Sequence, residues 1–360
     1  MVTDQRMQRI VGAFAEAGYS VKLVGRRLPG SLSHIPEFPV KRFRCFFHKG
    51  KLFYLEYNLR LLLWLLVQPA DCIWAVDCDT AWPARLSSLI RRKPWVFDAH
   101  ELFSMVPEVI HRKAVQQIWK RTEKMAFSKA DLNITVGPAL ARWFEQEYGK
   151  KVAVVRNMPP LKADMPYEPD ENRFVLYQGA LNEGRGLENL IQAMQFVDCR
   201  LVLAGEGDLS SKLRKMVTSL DLQHKIVFLG KLPPSELPAL TAKAWVGYNV
   251  SEPVGLSYQL SLNNKFFDYV HAGLPSLINP FEEYVKLNEE TEVGLITKPE
   301  VNEIVANLRL LLDDKDLHCR LSQNCLKARE IWNWDKEKAH LLTIFEAAFH
   351  HGKNAAPHSL

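Results

Sequence analysis

The sequence predicts an α/β protein made of two successive doubly wound domains, each a parallel sheet flanked by helices. Short β-rich runs alternate with helical patterns along the chain, which favours parallel sheets over a bundle or sandwich. The theme restarts after residues 157–172, a stretch with four prolines and little apolar periodicity that reads as a linker. The 360 residues also exceed what one core usually takes, since domains run to roughly 100–150 residues.

The elements follow in order. Helix 3–17 opens the chain, with Thr3-Asp4 as its N-cap and Ala17-Gly18 as its stop. Strand 21–25, strand 40–46 and an apolar helix 53–67 come next. Strand 72–76, helix 82–92, strand 95–98, helix 112–128, strand 132–136, helix 138–148 and strand 152–155 complete the first domain, 1–156. The second domain, 173–330, begins with strand 174–178, helix 186–196, strand 200–204, helix 209–220 and strand 226–229. It continues through a short helix 235–242, strand 245–249, helix 264–272 and strands 275–278 and 293–296. The chain is helical from about 300 to 350; the segment 331–360 is expected to pack back towards the first domain and end in a frayed tail. No short-period repeat is present, which excludes a solenoid.

A doubly wound domain normally begins with a central strand and a tight turn into a helix. This chain begins with the helix. Either the first domain lacks its usual first strand, or that strand is encoded upstream of Met1.

Composition narrows the function. A 47% hydrophobic and 24% charged content is that of an ordinary globular protein. The net charge of +5 suits an anionic substrate or an acidic membrane surface, or simply an ordinary enzyme, and argues against nucleic acid as a partner. Six scattered cysteines, mostly in apolar runs and without a CxxC, read as buried free thiols in a reducing compartment. No signal peptide is visible, and the longest apolar run, Leu61 to Val67, is far short of the roughly 20 residues that span a bilayer. A cytoplasmic protein is expected, peripheral on the inner face of the membrane if it meets one.

Four stretches could carry chemistry. In Tyr177-Gln178-Gly179-Ala180-Leu181-Asn182-Glu183-Gly184-Arg185-Gly186-Leu187 a strand ends in glycine, a turn carries two more glycines and an arginine, and a helix begins. Such a turn lets backbone and helix amides approach an anion while Arg185 binds phosphate oxygens, or it is an ordinary strand-to-helix turn. Gly205-Glu206-Gly207 is a second strand-to-glycine turn without the third glycine of a dinucleotide fingerprint. Asn263 to Pro275 reads as a helix capped by asparagine and stopped by Gly273, with Asp268 one turn beyond Asn264. A carboxylate there suits the paired hydroxyls of a ribose, or is a solvated helix residue. Asp98-Ala99-His100-Glu101-Leu102-Phe103 ends a first-domain strand, where doubly wound sheets bind ligands. His100 can donate to a sugar hydroxyl or phosphate and Glu101 can accept from one; a structural histidine is the alternative.

In this order and spacing the chain resembles the retaining GT-B glycosyltransferases of family four over almost its whole length. Asp4-Gln5-Arg6 resembles the start of their first helix, Asp98 to Phe103 their strand-end histidine motif, and Arg156-Asn157 the close of their first lobe. Tyr177 to Leu187, Gly205 to Gly207, Phe228-Leu229-Gly230 and Asn264 to Pro275 resemble their donor-binding lobe. The resemblance implies a GT-B fold of two Rossmann-like domains facing a central cleft, the first on the acceptor side and here without its first strand. It also implies transfer of a sugar from a nucleotide-diphosphate donor, with neither metal nor cofactor, to a glycan or lipid-linked acceptor in surface polysaccharide or glycoconjugate synthesis.

Carried over residue by residue, the resemblance gives His100 and Arg185 catalytic roles, the first at the transferred sugar and the second at the donor diphosphate. Gly179, Gly186, Gly205, Glu206, Gly207, Asn264 and Lys265 would bind the donor, Lys231 and Leu232 would edge the base, and Asp268 would hold the ribose, with Glu101 on the acceptor side. Three departures stand out. Ala180 occupies a position where the family often has arginine, Leu260 replaces the first glutamate of the family's paired-glutamate motif, and the first strand with its glycine loop is missing.

Asp77-Cys78-Asp79 spells a DxD, the metal–diphosphate motif of the other main glycosyltransferase fold, and is set aside because it follows a first-domain strand. Residues 42–66 mix Arg42, Arg44, Lys49 and Lys51 with Phe43, Phe46, Phe47 and Phe53, a pattern that suits contact with an anionic bilayer or a strand followed by a core helix. The rivals to transfer are a sugar-nucleotide epimerase or hydrolase of the same architecture and a donor-binding subunit. A dehydrogenase is disfavoured by the incomplete glycine fingerprint.

Overall fold

The computed structural model describes residues 4–27, 38–162 and 167–349. Thr3, linker residues 163–166 and the expected frayed tail lie outside them. The chain forms two compact units, residues 1–157 with 336–360, and residues 158–335.

In the first unit, α1 (Gln5–Glu16) starts on Asp4, whose side chain accepts from the Met7 amide. It buries Met7, Ile10, Val11 and Phe14 in one stripe. Next come β1 (Leu23–Arg27), β2 (Val40–Arg44) and α2 (Gly50–Val67). β3 (Ile73–Val76) runs straight into α3 (Asp77–Arg91), followed by β4 (Trp95–Ala99) and α4 (Pro107–Ile110). α5 (Lys113–Lys129), β5 (Leu132–Thr135), α6 (Pro138–Tyr148) and β6 (Ala153–Val154) complete this stretch. Trp95, Phe97, Phe127 and Phe144 are fully buried and form its aromatic centre.

The strands of this unit form two separate parallel sheets, β1-β2 and β3-β4-β5-β6. A doubly wound sheet of order 3-2-1-4-5-6 without its strand 1 leaves two such pieces. Among the described residues no strand joins β1 to β3.

The second unit has one continuous parallel sheet. Its elements are β7 (Phe174–Gln178), α7 (Leu187–Ala193), β8 (Arg200–Ala204), α8 (Ser210–Ser219), β9 (Ile226–Gly230), α9 (Leu237–Lys243) and β10 (Val246–Asn249). They continue with α10 (Leu256–Gln259), α11 (Asn264–Ala272), β11 (Ser276–Ile278), α12 (Glu282–Glu290), β12 (Gly294–Ile296), α13 (Val301–Asp313) and α14 (Lys315–Ala328). The sheet order is β12-β11-β10-β7-β8-β9, the 3-2-1-4-5-6 order read from the other edge. Strands β7, β8, β10 and β11 are short and mostly buried, as a sheet covered on both faces requires, while the edge strand β12 buries only Gly294.

After α14 the chain returns to the first unit through α15 (Trp334–Phe349). Phe345 meets Phe14 edge-on at 4.8 Å, Lys338 pairs with Glu16 at 2.8 Å, and the Glu337 carboxylate accepts from the Arg156 amide at 2.7 Å.

Several expectations need correction. Helix 186–196 stops at Ala193 and tightens into a 3₁₀ turn over Met194–Phe196, a common way for a helix to satisfy its last carbonyls. Strand 40–46 ends at Arg44, because the amides of Phe46 and Phe47 donate to the Glu56 carboxylate instead of to a ladder. Helix 82–92 begins at Asp77, with Asp77 and Asp79 at its positive end. α10 and α12 were not expected; α12 has only Tyr284 and Leu287 as buried apolar positions, too few for a helical period. All six cysteines are free, but only Cys78, Cys199 and Cys325 are buried, and Cys319 is exposed.

Candidate functional site

In the second unit the strand order reverses between β7 and β10, and ligands of doubly wound sheets bind beyond the carboxyl ends of the strands at that point. Three segments meet there: the glycine turn after β7, the loop after β10, and the start of α11. Gly186, in the left-handed region at φ 65°, opens α7 with its carbonyl accepting from the Tyr248 hydroxyl at 2.9 Å. A Cβ at Gly186 would lie 2.7 Å from the Val250 carbonyl oxygen, so the two loops touch through backbone and only glycine fits.

Arg185 projects from this turn. Its guanidinium lies 4.3 Å from the centre of the Tyr258 ring and donates to Asn263 Oδ1 at 3.4 Å. Asn263 stands at the N-cap of α11 as expected, but its side chain serves Arg185 rather than the helix, which has no side-chain cap. The Asn263 amide in turn donates to the Tyr284 hydroxyl at 2.7 Å, so the unexpected α12 props the start of α11.

Lys265, in the first turn of α11, is buried at 9% exposure with its ammonium 4.2 Å from the centre of the Tyr177 ring. A Cβ on Gly179 would come within 3.8 Å of the Lys265 side chain, so the glycine turn and the lysine are in direct apposition. Burial, and then the Arg185 charge, press the Lys265 ammonium well below the usual lysine range. Among the described residues neither Arg185 nor Lys265 meets a carboxylate. Two such cations, one buried, are costly to leave without a counter-charge.

One turn along α11, the Asp268 carboxylate accepts from the Gln178 amide at 3.1 Å, and Gln178 Oε1 accepts from Thr241 at 2.8 Å. Asp268 is thus a held, half-buried acid rather than a freely solvated one.

The other donor-side residues fall further out. A Cβ on Gly205 would lie 1.8 Å from the Gly179 carbonyl oxygen, and one on Gly207 2.3 Å from Asn182 Oδ1. These glycines therefore let one turn pack on the other. Glu206 pairs with Arg214 at 3.1 Å. Lys231, after edge strand β9, is exposed, while Leu232 packs against the cluster of Leu176, Ala204 and Tyr269. Leu260 closes α10. Reading the sequence missed Asn249, Ser251 and Asn279, fully buried at the ends of β10 and β11. The Asn279 Oδ1 accepts from the Ser251 amide at 2.5 Å, and the Asn279 Nδ2 has no hydrogen-bond partner among the described residues. An asparagine directly after a β-rich run was the available signal.

In the first unit, His100 follows β4 and sits between two carboxylates. Its Nε2 lies 3.1 Å from Asp98 Oδ2, and its Nδ1 3.7 Å from Asp77 Oδ2. Asp77 Oδ1 also accepts from the His100 amide at 2.8 Å. Asp77 adopts φ 52° at the junction of β3 and α3, a conformation that non-glycine residues seldom hold without a compensating bond. So the DxD aspartate is engaged in placing His100.

Arg6 was not expected here at all. Its Nη2 donates to Asp98 Oδ1 at 2.7 Å and its Nη1 to the Val155 carbonyl at 2.6 Å. Its Nε lies 3.3 Å from Asp98 Oδ2 and 3.1 Å from His100 Nε2.

Burial alone would raise the Asp98 carboxyl, but the Arg6 and His100 charges outweigh it and hold Asp98 well below the usual range. Burial likewise works against protonation of His100, yet Asp98 and Asp77 raise it above the ordinary histidine value. Protonation of His100 is thereby favoured, and in the protonated ring Nε2 donates to Asp98 and leaves the Arg6 Nε hydrogen to the same carboxylate. Burial lifts Asp77 to about 6, against the pull of His100, and burial with Asp77 lifts Asp79 to about 7. Glu101 is exposed beside this group.

Comparison with known proteins agrees with this architecture. Residues 5–159 match the family described as Glycosyltransferase Family 4, and residues 164–328 match Glycosyl transferases group 1. Together with the fold, these matches show that the chain belongs to the GT-B glycosyltransferases. An uncharacterised glycosyltransferase from Methanocaldococcus jannaschii is 25% identical over 187 residues, 50% of this chain and 46% of that protein. The chain spans about half the length of the curated relatives it matches.

Among solved structures, sucrose-phosphate synthase from Thermosynechococcus elongatus has the same fold with a TM-score of 0.77 at 18% identity, over 96% of this chain and 93% of that one. Anabaena HepE, in complex with UDP and glucose, gives a TM-score of 0.75 at 18% identity over 96% of both chains.

Proposed function

We propose that this chain transfers a sugar from a nucleoside-diphosphate sugar to a glycan or lipid-linked acceptor, with retention of anomeric configuration, in surface polysaccharide or glycoconjugate assembly. The observation that carries the proposal is the Arg185–Lys265 pair: two cations without a carboxylate, beside a glycine turn and a helix start, at the switch point of a doubly wound sheet. A diphosphate supplies the missing charge. The complex of HepE with UDP and glucose supports a nucleotide-sugar donor for this fold.

In this reading Asp268, held by Gln178, takes the ribose hydroxyls. Lys231 and Leu232 edge the base. Gly179, Gly186 and Asn264 bring backbone close to the phosphates, and Gly205, Glu206 and Gly207 back the turn that does so. The bond between the anomeric carbon and the phosphate oxygen breaks, its electron pair staying on the diphosphate. Arg185, Lys265 and nearby amides stabilise that charge as it develops, which is where fixed charge accelerates a reaction. The acceptor hydroxyl attacks from the same face and passes its proton to the departing phosphate oxygen. The proposal assigns His100, fixed between Asp98 and Asp77, to the transferred sugar and Glu101 to the acceptor side. The first domain meets an anionic membrane through residues 42–66 when the acceptor is lipid-linked.

Product analysis tests this. Incubation with nucleotide sugar alone leaves the donor intact, and addition of acceptor yields an α- or β-linked product of the donor's own anomeric configuration. Epimerised or hydrolysed donor without acceptor would replace transfer by the rival chemistry. Nucleotide binding without turnover under any acceptor would make the chain a donor-binding subunit.

A further inference from the structure

Helix α2 is apolar on both sides. Its inner face buries Phe53, Tyr57 and Leu61. Its outer face carries Leu52, Leu55, Leu59, Leu63 and Val67, between 54% and 74% exposed and spaced three or four residues apart in a single row. One exposed leucine is ordinary on any protein; four leucines and a valine aligned along an 18-residue helix, about 27 Å long, are not. The neighbouring helix α3, tied to α2 where Arg91 donates to the Leu65 carbonyl at 2.8 Å, extends the surface with exposed Leu86, Leu89 and Ile90. Ahead of α2 the ring of Phe46 is 80% exposed, while the amides of Phe46 and Phe47 are fastened to Glu56. The loop is thus fixed with its rings outward.

We propose that the outer row of α2 lies in the interface of an anionic lipid bilayer, with the helix parallel to the membrane plane. The inference deepens the membrane contact proposed above and rests on it, moving the attachment from the basic stretch alone to the leucine row. Charge chooses the occupant. Between residues 40 and 67 there are six Lys and Arg residues and one acid, Glu56, whose carboxylate is already bound by two amides and Arg60. Arg44, Lys49 and Lys51 are exposed at the head of the row and Arg92 at the end of α3. An apolar face rimmed by cations is the pattern of an interfacial helix. A second copy docking by two-fold symmetry would set this patch on itself and face like charges with like. Among the described residues no helix is long and apolar enough to cross a membrane, so α2 lies on the bilayer.

The test is co-sedimentation of the intact chain with vesicles of phosphatidylcholine alone and with phosphatidylglycerol added, at low and high salt. Leu55→Asn/Leu59→Asn/Leu63→Asn should lower partitioning roughly tenfold per leucine withdrawn, on both vesicle types. Arg44→Gln/Lys49→Gln/Lys51→Gln should remove only the preference for anionic vesicles and its sensitivity to salt. Because the three leucines face solvent, the leucine variant keeps the wild-type melting temperature, and it transfers sugar to a water-soluble acceptor at the wild-type rate. That last arm separates a failure of membrane docking from a failure of the transferase reading. Wild-type binding by the leucine variant, or no binding of the wild type to either vesicle, overturns the proposal. A concentration-dependent dimer abolished by the leucine changes would give the row to a second copy instead.

Discussion

Arg6 and Asp98 form an ion pair at 2.7 Å between the first helix and the end of β4, with side chains 3% and 0% exposed. Removing one partner of such a pair leaves a buried, uncompensated charge. Arg6→Met should therefore cost about 3–5 kcal/mol, measured by urea unfolding, whereas Arg6→Met/Asp98→Leu should recover part of the loss. The pair also has a pH signature. Asp98 is held below its ordinary value, so its contribution is present above the usual aspartate pKa of about 3.9 and is lost as pH falls beneath it. His100 is raised, so its contribution is present below its ordinary value and disappears as pH climbs through the raised one.

Asp79 runs the other way. Burial and Asp77 raise it to about 7, so ionisation opposes folding from the ordinary aspartate range up to that value. Asp79→Asn should then raise the melting temperature more at pH 8 than at pH 5. Equal shifts at both pH values would show that the carboxyl is not displaced.

Much of this was legible beforehand. The β/α alternation located the strands of both units, because strands covered on two faces are written as short apolar runs, and the glycine turns marked strand ends in the second unit. What escaped notice was decided by tertiary neighbours. Arg6 reads as an ordinary helix residue until β4 places Asp98 beneath it. Asp77 spells part of a DxD that its place after a first-domain strand sets aside, but nothing local shows that its carboxylate takes the His100 amide. Nothing in the leucine-rich period of α2 tells which half faces the core, since both faces are apolar. α12 was invisible because its two buried apolar residues, Tyr284 and Leu287, are too few to write a helical period.

Lys265 offers a test in which stability and binding move oppositely. Its ammonium is buried against Tyr177, with Arg185 nearby and, among the described residues, no carboxylate paired with it. Lys265→Met keeps the side chain's volume and removes that cost, so the free protein should melt at an equal or higher temperature. Affinity for a nucleoside diphosphate, measured by calorimetry, should drop about ten- to a hundred-fold, as for loss of a charged hydrogen bond of roughly 1.5–3 kcal/mol. Unchanged affinity would leave Lys265 as a core residue only.

Arg185→Ala should fold normally, since Arg185 is half-buried and is held by a ring face and one long hydrogen bond. Turnover should fall about ten- to a hundred-fold if its bond to the diphosphate is made mainly in the transition state. A properly folded variant with wild-type kinetics would remove Arg185 from the reaction.

A crystal structure with the nucleotide bound decides whether a nucleoside diphosphate occupies the second unit. A thermal-shift panel of nucleoside diphosphates selects the ligand, because saturation at a hundred times the dissociation constant adds about 2.7 kcal/mol to folded-state stability. The phosphates should lie against Gly179, Arg185 and Lys265 with the ribose on Asp268. A nucleotide bound chiefly to residues of the first unit, or phosphates held away from both cations, would contradict it.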